Sequence, residues 1–385
     1  MEIPVNTSSL AFLFNEELGA VVQVRTEHVE NVRMQFTAAG FGEHVHRVGT
    51  TNADLRLRIR SNNAMYDRDV LELQRIWTET SYRMRALRDN PECARQEFDA
   101  LLDRNDPGLG MHTTFTVDAA PAIAIGARPR MAILREQGVN GHNEMAAAFE
   151  HAGFTAVDVH MSDILNDRVK LREFAGIAAC GGFSYGDVLG AGGGWSKSIL
   201  YNGRAREQFA DFLARTDKFA LGVCNGCQMM AQLKSLVPGA ELWPRFVRNS
   251  SEQFEARLVM VEILDSPSIF FRGMAGSRLP IVVAHGEGRA LFDDDHGPRQ
   301  ALHARLSPMR YIDHRGEATE RYPLNPNGSP LGIAALTNTD GRVTILMPHP
   351  ERAFLRKQFS WISPQWRQAE GPWLRMFRNA RTWMS

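Results

Sequence analysis

The sequence predicts an α/β protein after about Arg130: a parallel sheet with helices on both faces. Three observations carry this. Short apolar runs at 131–134, 176–180 and 219–223, with a further stretch at 155–160, read as strands. Helical patterns lie between them, across 143–152 and 205–215, and such alternation produces parallel sheets. Finally, Phe219-Ala220-Leu221-Gly222-Val223-Cys224-Asn225-Gly226-Cys227-Gln228 reads as a strand turning sharply into a helix, with Cys224 at the turn.

Before that region the pattern differs. Residues 1–65 hold apolar runs at 10–14 and 18–24, an alternating stretch Leu55-Arg56-Leu57-Arg58-Ile59-Arg60, and one helical stretch near 27–39. Three or four strands and a helix make a thin core, so this part is expected to be the tail of a larger domain rather than a small α+β cap. From Tyr66 to about Leu102 the pattern turns helical, with Val70, Leu73, Ile76, Trp77, Met84 and Leu87 at three- and four-residue steps. Pro107, Gly108 and Gly110 break it, and residues 111–128 read as a linker.

After Gln253 the sequence becomes β-rich, at 257–263, 280–284, 332–338 and 342–346. The last pair, joined by Thr339-Asp340-Gly341, predicts a hairpin. A closing amphipathic helix, 372–383, puts Trp373, Met376, Phe377 and Trp383 at helical spacing, where aromatics are core.

Composition excludes several classes. At 385 residues the chain has room for two or three domains, and its 44 basic and 44 acidic residues balance. That balance points to neither nucleic acid nor membrane as a partner. No apolar run reaches spanning length, and no signal pattern opens the chain. The four cysteines, Cys93, Cys180, Cys224 and Cys227, lack disulfide-framework spacing, so a reducing cytoplasm is expected.

Cys224 carries the chemistry. A helix starting beside its sulfur favours the reactive thiolate. The Cys224-x-x-Cys227 pair alone leaves a redox dithiol equally open, whereas a zinc site lacks a second pair. Met347-Pro348-His349-Pro350-Glu351-Arg352 tips the balance. A cysteine nucleophile needs an imidazole to move its proton and a carboxylate to orient the ring. His349 and Glu351, two apart, would share a face of an extended strand. Gly181-Gly182-Phe183-Ser184-Tyr185-Gly186-Asp187 offers backbone N–H groups for a developing oxyanion, and Gly192-Gly193-Gly194 reads as a flexible loop nearby. The stretches 248–254 and 284–289 are polar, and composition alone permits ordinary surface loops.

Together, Gly-Val-Cys-Asn-Gly-Cys-Gln-Met-Met, Gly-Gly-Phe-Ser-Tyr-Gly-Asp, Arg-Phe-Val-Arg-Asn-Ser-Ser, His-Gly-Glu-Gly-Arg and Pro-His-Pro-Glu-Arg resemble the phosphoribosylformylglycinamidine synthase family in its large single-chain form. The resemblance implies a class I glutamine amidotransferase fold (flavodoxin-like) over 129–385. It implies that 1–65 is the end of an AIR synthase-like synthetase domain and that 66–128 is a helical segment and linker. Cys224 is then the nucleophile, His349 the base and Glu351 its partner. Gly182 and Asn225 supply the oxyanion hole, and Gln228, Phe183 and Ser184 hold substrate. Cys227 matches a second, non-nucleophilic cysteine, so the redox reading falls away. The substrate is L-glutamine, whose ammonia converts formylglycinamide ribonucleotide with ATP and magnesium. Those cofactor sites are expected in a synthetase portion that acts as partner, and none, metal included, in this chain, which looks like a C-terminal piece. A silent module that only binds a synthetase shares the fold, and a cysteine peptidase on the same scaffold would cleave peptides instead.

Overall fold

The computed structural model describes residues 1–3, 8–61, 64–116 and 128–384. The expected linker at 111–128 falls largely, at 117–127, outside the described residues. The chain divides into two compact units, Met1–Tyr82 with Phe98–Arg104, and Arg83–Glu97 with Asn105–Ser385.

In the first unit β1 (Glu2–Ile3) pairs in parallel with β2 (Arg56–Ser61), which pairs antiparallel with β3 (Ala64–Asp69). The alternating stretch thus forms β2. The apolar run at 10–14 lies instead in a helix, α1 (Ser9–Phe14), and α2 spans Val29–Ala38. The helical pattern expected from Tyr66 begins later. Tyr66 pairs with Ile59, and the Asp67 carboxylate accepts from Arg56 at 2.6 Å, holding this segment in the sheet. The Asp69 carboxylate then caps the N–H groups of Leu71 and Glu72, starting α3 (Val70–Arg88); Pro91 opens α4 (Pro91–Ala100), and each of these helices has residues in both units. Neither α1, α2 nor α3 buries a residue, and the apolar side chains Ile76, Trp77, Met84 and Leu87 of α3 are exposed.

The second unit is built on a nine-stranded sheet. Its first half alternates, with α6 and α7 added to the predicted helices: β4 (Arg130–Arg135), α5 (His142–His151), β5 (Thr155–His160), α6 (Met161–Leu165), β6 (Gly176–Ala179), α7 (Gly193–Leu200), α8 (Gly203–Ala214), β7 (Phe219–Val223) and α9 (Asn225–Gln232). The second half adds β8 (Arg245–Val247), β9 (Glu255–Ile263), β10 (Arg278–His285), β11 (Arg289–Leu291), α10 (Gly297–His303), β12 (Met309–Tyr311), β13 (Ile333–Thr337), β14 (Val343–Leu346) and α11 (Leu374–Trp383). Sheet order is β10-β9-β12-β13-β14-β7-β6-β4-β5, parallel from β14 to β5 and antiparallel from β14 out to β10. The β-rich second half therefore extends the first sheet rather than forming its own. β8 and β11 pair separately.

Helices cover both faces, with α5 against α11 in one group and α7, α8 and α9 in the other. Every residue of β7, β13 and β14 is buried, as strands covered on both faces must be. Phe219 of β7 meets Phe154, Phe270 and Trp383 edge-on at 5.7–6.0 Å. Truncating such a ring costs about 3–5 kcal/mol. Trp373, Met376 and Phe377 of α11 are core, as their spacing predicted. The glycines at 192–194 make no flexible loop: Gly193 opens α7, and a Cβ on Gly192 would lie 2.5 Å from Met229 N.

Candidate active site

The carboxyl ends of β6, β7 and β14 converge, which is where open α/β sheets place their ligands. At the end of β7 the chain must reverse into α9 within one residue. Cys224 takes φ 53°, ψ −110°, a conformation disfavoured for any residue with a Cβ. The fold holds it there: its N–H donates to Leu346 O at 2.9 Å, its carbonyl accepts from Gln228 N at 2.9 Å, and its sulfur lies 3.6 Å from Ala284 O. Gly226 lets α9 approach β6 closely, since a Cβ there would lie 2.1 Å from Ala179 O.

His349 follows β14. Its N–H donates to Val282 O at 2.8 Å, tying it to β10. The sequence expected His349 and Glu351 on one face of an extended strand, but Pro350–Arg352 form a 3-10 turn instead. The turn brings them together all the same. His349 Nδ1 and Glu351 Oε1 are 2.5 Å apart, with the two side chains 1% and 0% exposed. Burial alone would strip the proton from His349. The Glu351 carboxylate and the neighbouring Cys224 sulfur outweigh it and raise the ring to about 10. The sulfur acts without an ordinary hydrogen bond to Nε2, which is buried and has no hydrogen-bond partner. Gly181 shows how close the two groups are: a Cβ there would sit 2.7 Å from His349 Cε1 and 3.1 Å from Cys224 Cβ.

The remaining predicted residues fall around one cavity of about 160 Å³, lined by Cys224, His349, Gly182, Asn225, Gln228 and Phe183 among others. Asn225 opens α9, so its N–H lies among the helix's first, unpaired donors. The Gly182 N–H donates to no backbone acceptor among the described residues. Gln228 is anchored, with Nε2 donating to Glu287 O at 2.5 Å and Oε1 accepting from Asn225 Nδ2 at 3.3 Å. Phe183 and Phe254 pack at 5.9 Å between centroids, both half exposed. Ser184 is not among the lining residues; its hydroxyl donates to Asp187 at 2.9 Å.

Sequence reasoning gave no role to several residues here. Asp187 accepts from Ser184 Oγ, from Gly192 N at 2.8 Å and from Asn225 Nδ2 at 3.0 Å, joining three loops of the site. Asn140, Glu287, Phe254 and Arg352 also line the cavity. Asp187, Glu287 and Arg352 stand inside the motifs already noted, and that was the available signal. The stretches that composition left as surface loops contribute to the site. Asn249 is buried, donates to His285 O at 2.8 Å and accepts from Gly288 N at 2.8 Å. His285, also lining the cavity, is lowered to about 3 by burial and by His349. Cys180 and Cys227 are fully buried, and burial pushes both thiols well up.

Residues 128–384 match the family described as CobB/CobQ-like glutamine amidotransferase domain. Among solved structures, a chain of PurLQS from Thermotoga maritima superposes with a TM-score of 0.50 at 24% identity, covering 67% of this chain and 100% of that one. A glutamine amidotransferase from the same organism gives 0.36 at 18% identity, covering 59% and 77%. No helix among the described residues is long and apolar enough to cross a membrane.

Proposed function

The chain belongs to the CobB/CobQ-like glutamine amidotransferase family, and from that premise we propose that Cys224, His349 and Glu351 hydrolyse L-glutamine through a thioester. The observation that carries this is the buried 2.5 Å His349–Glu351 pair beside a cysteine on a strained strand-to-helix turn. A silent module has no need of such a charged pair in its interior, because burying it is costly.

The chemistry follows from the geometry. His349 moves the proton of Cys224, and the Glu351 carboxylate that raises the ring stabilises the imidazolium. The sulfur attacks the carboxamide carbon, and the N–H groups of Asn225 and Gly182 receive the oxyanion. The C–N bond breaks as His349 passes its proton to the departing ammonia. The ring then takes a proton from water, the hydroxide attacks the thioester, and glutamate leaves with the thiol restored. Glu351 keeps the ring in one tautomer and stabilises its charge throughout.

In the same reading, the ammonia serves the ATP-dependent conversion of formylglycinamide ribonucleotide to formylglycinamidine ribonucleotide, the reaction of the family whose five motifs the sequence carries in order. ATP and magnesium belong to the synthetase portion. Among the described residues no group of three or more His, Cys, Asp or Glu side chains could hold a metal ion. Glutamate release from free glutamine, measured with and without a synthetase portion supplied in trans, tests both levels. Activity that Cys224→Ala abolishes supports hydrolysis, and coupling to the ribonucleotide supports the pathway. A folded protein that releases no glutamate under either condition contradicts the reading.

A further inference from the structure

The polar stretch at 249–255 takes no part in bond breaking, yet it is tied down more tightly than a surface loop requires. Asn249, Ser251 and Glu255 are each 2% exposed. Glu252 among them takes φ 61°, which a residue with a Cβ keeps only where its surroundings fix it. Ser251 Oγ donates to Glu255 Oε1 at 2.6 Å and closes the turn on itself. One outside tie runs to the cavity wall: Asn249 Nδ2 donates to His285 O at 2.8 Å. Phe254 lines the same cavity and packs on Phe183.

A second set of ties runs to the elbow between α3 and α4. Arg83–Glu97 belong to the second unit, and none of them lines the cavity. Asp89, 8% exposed, accepts from Gln253 Nε2 at 2.8 Å, and the N–H of Asn90 donates to Ser251 O at 3.4 Å. Arg88 donates twice to the Asp89 carboxylate, at 2.6 and 2.9 Å, so that charge is paired where it is buried. Just after the turn, Arg257 of β9 donates to Glu255 at 2.8 Å. Arg257 and Arg85 of α3 both donate to the Tyr322 hydroxyl, at 2.9 and 3.1 Å, and Glu97 of α4 pairs with both guanidiniums. Helices outside the cavity thus fix the turn at both ends.

We infer that the α3–α4 elbow positions the wall of the site: Asp89 and Asn90, through Gln253 and Ser251, set the 249–255 turn and with it the place of Phe254. The helical segment is then more than a linker, because a change at the elbow reaches the site without touching the triad. For its readout in turnover the inference rests on the glutaminase reading. Asp89 is a positioning residue, so its loss should weaken glutamine binding and leave the chemistry of Cys224 alone. Misplacing a group by about 1 Å can cost on the order of 100-fold.

The test sets a charge against the tie. Gln253→Glu in the full chain places a second carboxylate beside Asp89, and adding Asp89→Asn returns a donor to it with the polarity of the pair reversed. Gln253→Glu should raise KM for glutamine by about 10- to 100-fold. Both kcat and the rate of Cys224 alkylation by iodoacetamide should stay within about 3-fold of wild type. Hydrogen exchange should quicken by about 10-fold at the amides of 249–255 and of 182–185, the segment that carries Phe183. Adding Asp89→Asn should return KM and exchange to within about 3-fold of wild type. Phe254→Ala should raise KM by itself, and Gln253→Glu should add little in that background, since both act through one ring. Gln253→Ala removes the tie without adding charge, and should give the same pattern at smaller size if Gln253→Glu does not fold. The inference is overturned if KM and exchange keep their wild-type values, or if kcat falls along with KM and Asp89→Asn restores nothing. It is equally overturned if Gln253→Glu costs as much over Phe254→Ala as it does alone. Should the wild type release no glutamate, the hydrolytic reading falls, while the exchange pattern and its rescue still decide this inference.

Discussion

Two histidines line the same cavity, both buried, and they are driven in opposite directions. His349 is raised to about 10 and His285 is lowered to about 3. Burial disfavours the charge on both rings, so burial cannot be what separates them. The partner is. His349 Nδ1 meets the Glu351 carboxylate, whereas His285 Nε2 meets the neutral amide of Asn327 at 3.1 Å, itself bonded to the Tyr311 hydroxyl at 3.2 Å. Once His349 is charged, it further discourages charge on His285. The Glu351 carboxylate and the Cys224 sulfur thus raise one ring, and a neutral amide leaves the other to burial.

The largest test removes each ring. His349→Ala should bring glutamate release close to the Cys224→Ala background, a loss on the order of 10⁶ by analogy with other triads. His285→Gln should keep activity within about 10-fold, provided circular dichroism shows the fold intact. Equal losses would erase the distinction between the rings.

Next in size is the orienting carboxylate. Glu351→Gln retains shape and some hydrogen bonding, so activity should fall by up to about 10⁴ and stay above His349→Ala. A variant as active as wild type would mean that Glu351 does not set the ring.

Proton occupancy follows. In ring-labelled NMR titrations His349 should stay charged through neutrality and lose its proton near pH 10. Glu351→Gln should move that point down. His349 binds its proton more tightly folded than unfolded, so its stabilisation is complete below about pH 6.5 and fades as pH rises toward 10. His285 has the opposite sign. It stays neutral when folded and charges when unfolded, so stability should fall as pH drops from about 6.5 toward 3, by at most about 1.4 kcal/mol per pH unit from this group. The smallest effect concerns Asn327→Asp, which offers His285 its own carboxylate and should raise its titration point. An unmoved His285 would show that the amide is not what keeps it neutral.

Much of this was legible in the sequence, for identifiable reasons. Strands β4, β6 and β7 were, because parallel strands covered on both faces read as plain apolar runs. So was the hairpin of β13 and β14, where Asp340 and Gly341 mark the turn. The join between parallel and antiparallel halves was not, because strand order depends on pairings between distant segments that no local pattern records. The site shows the same division. Cys224, His349 and Glu351 stood out as residue types at telling spacings. Asn249 and Asn327 did not, since a buried amide and a surface amide look alike until their partners are known. The apolar spacing of α3 predicted a helix correctly, yet Ile76, Trp77, Met84 and Leu87 are exposed. Periodicity reports a face and not what covers it.

The account turns on Cys224 being activated by His349 and by no other ring. The direct measurement is the rate and site of alkylation by a glutamine-mimicking electrophile, mapped by peptide mass spectrometry. Label should appear on Cys224 and spare Cys93, Cys180 and Cys227, whose thiols burial raises. It should form at a similar rate in His285→Gln and be nearly lost in His349→Ala. Label mainly on Cys227, or an undiminished rate in folded His349→Ala, would contradict the account.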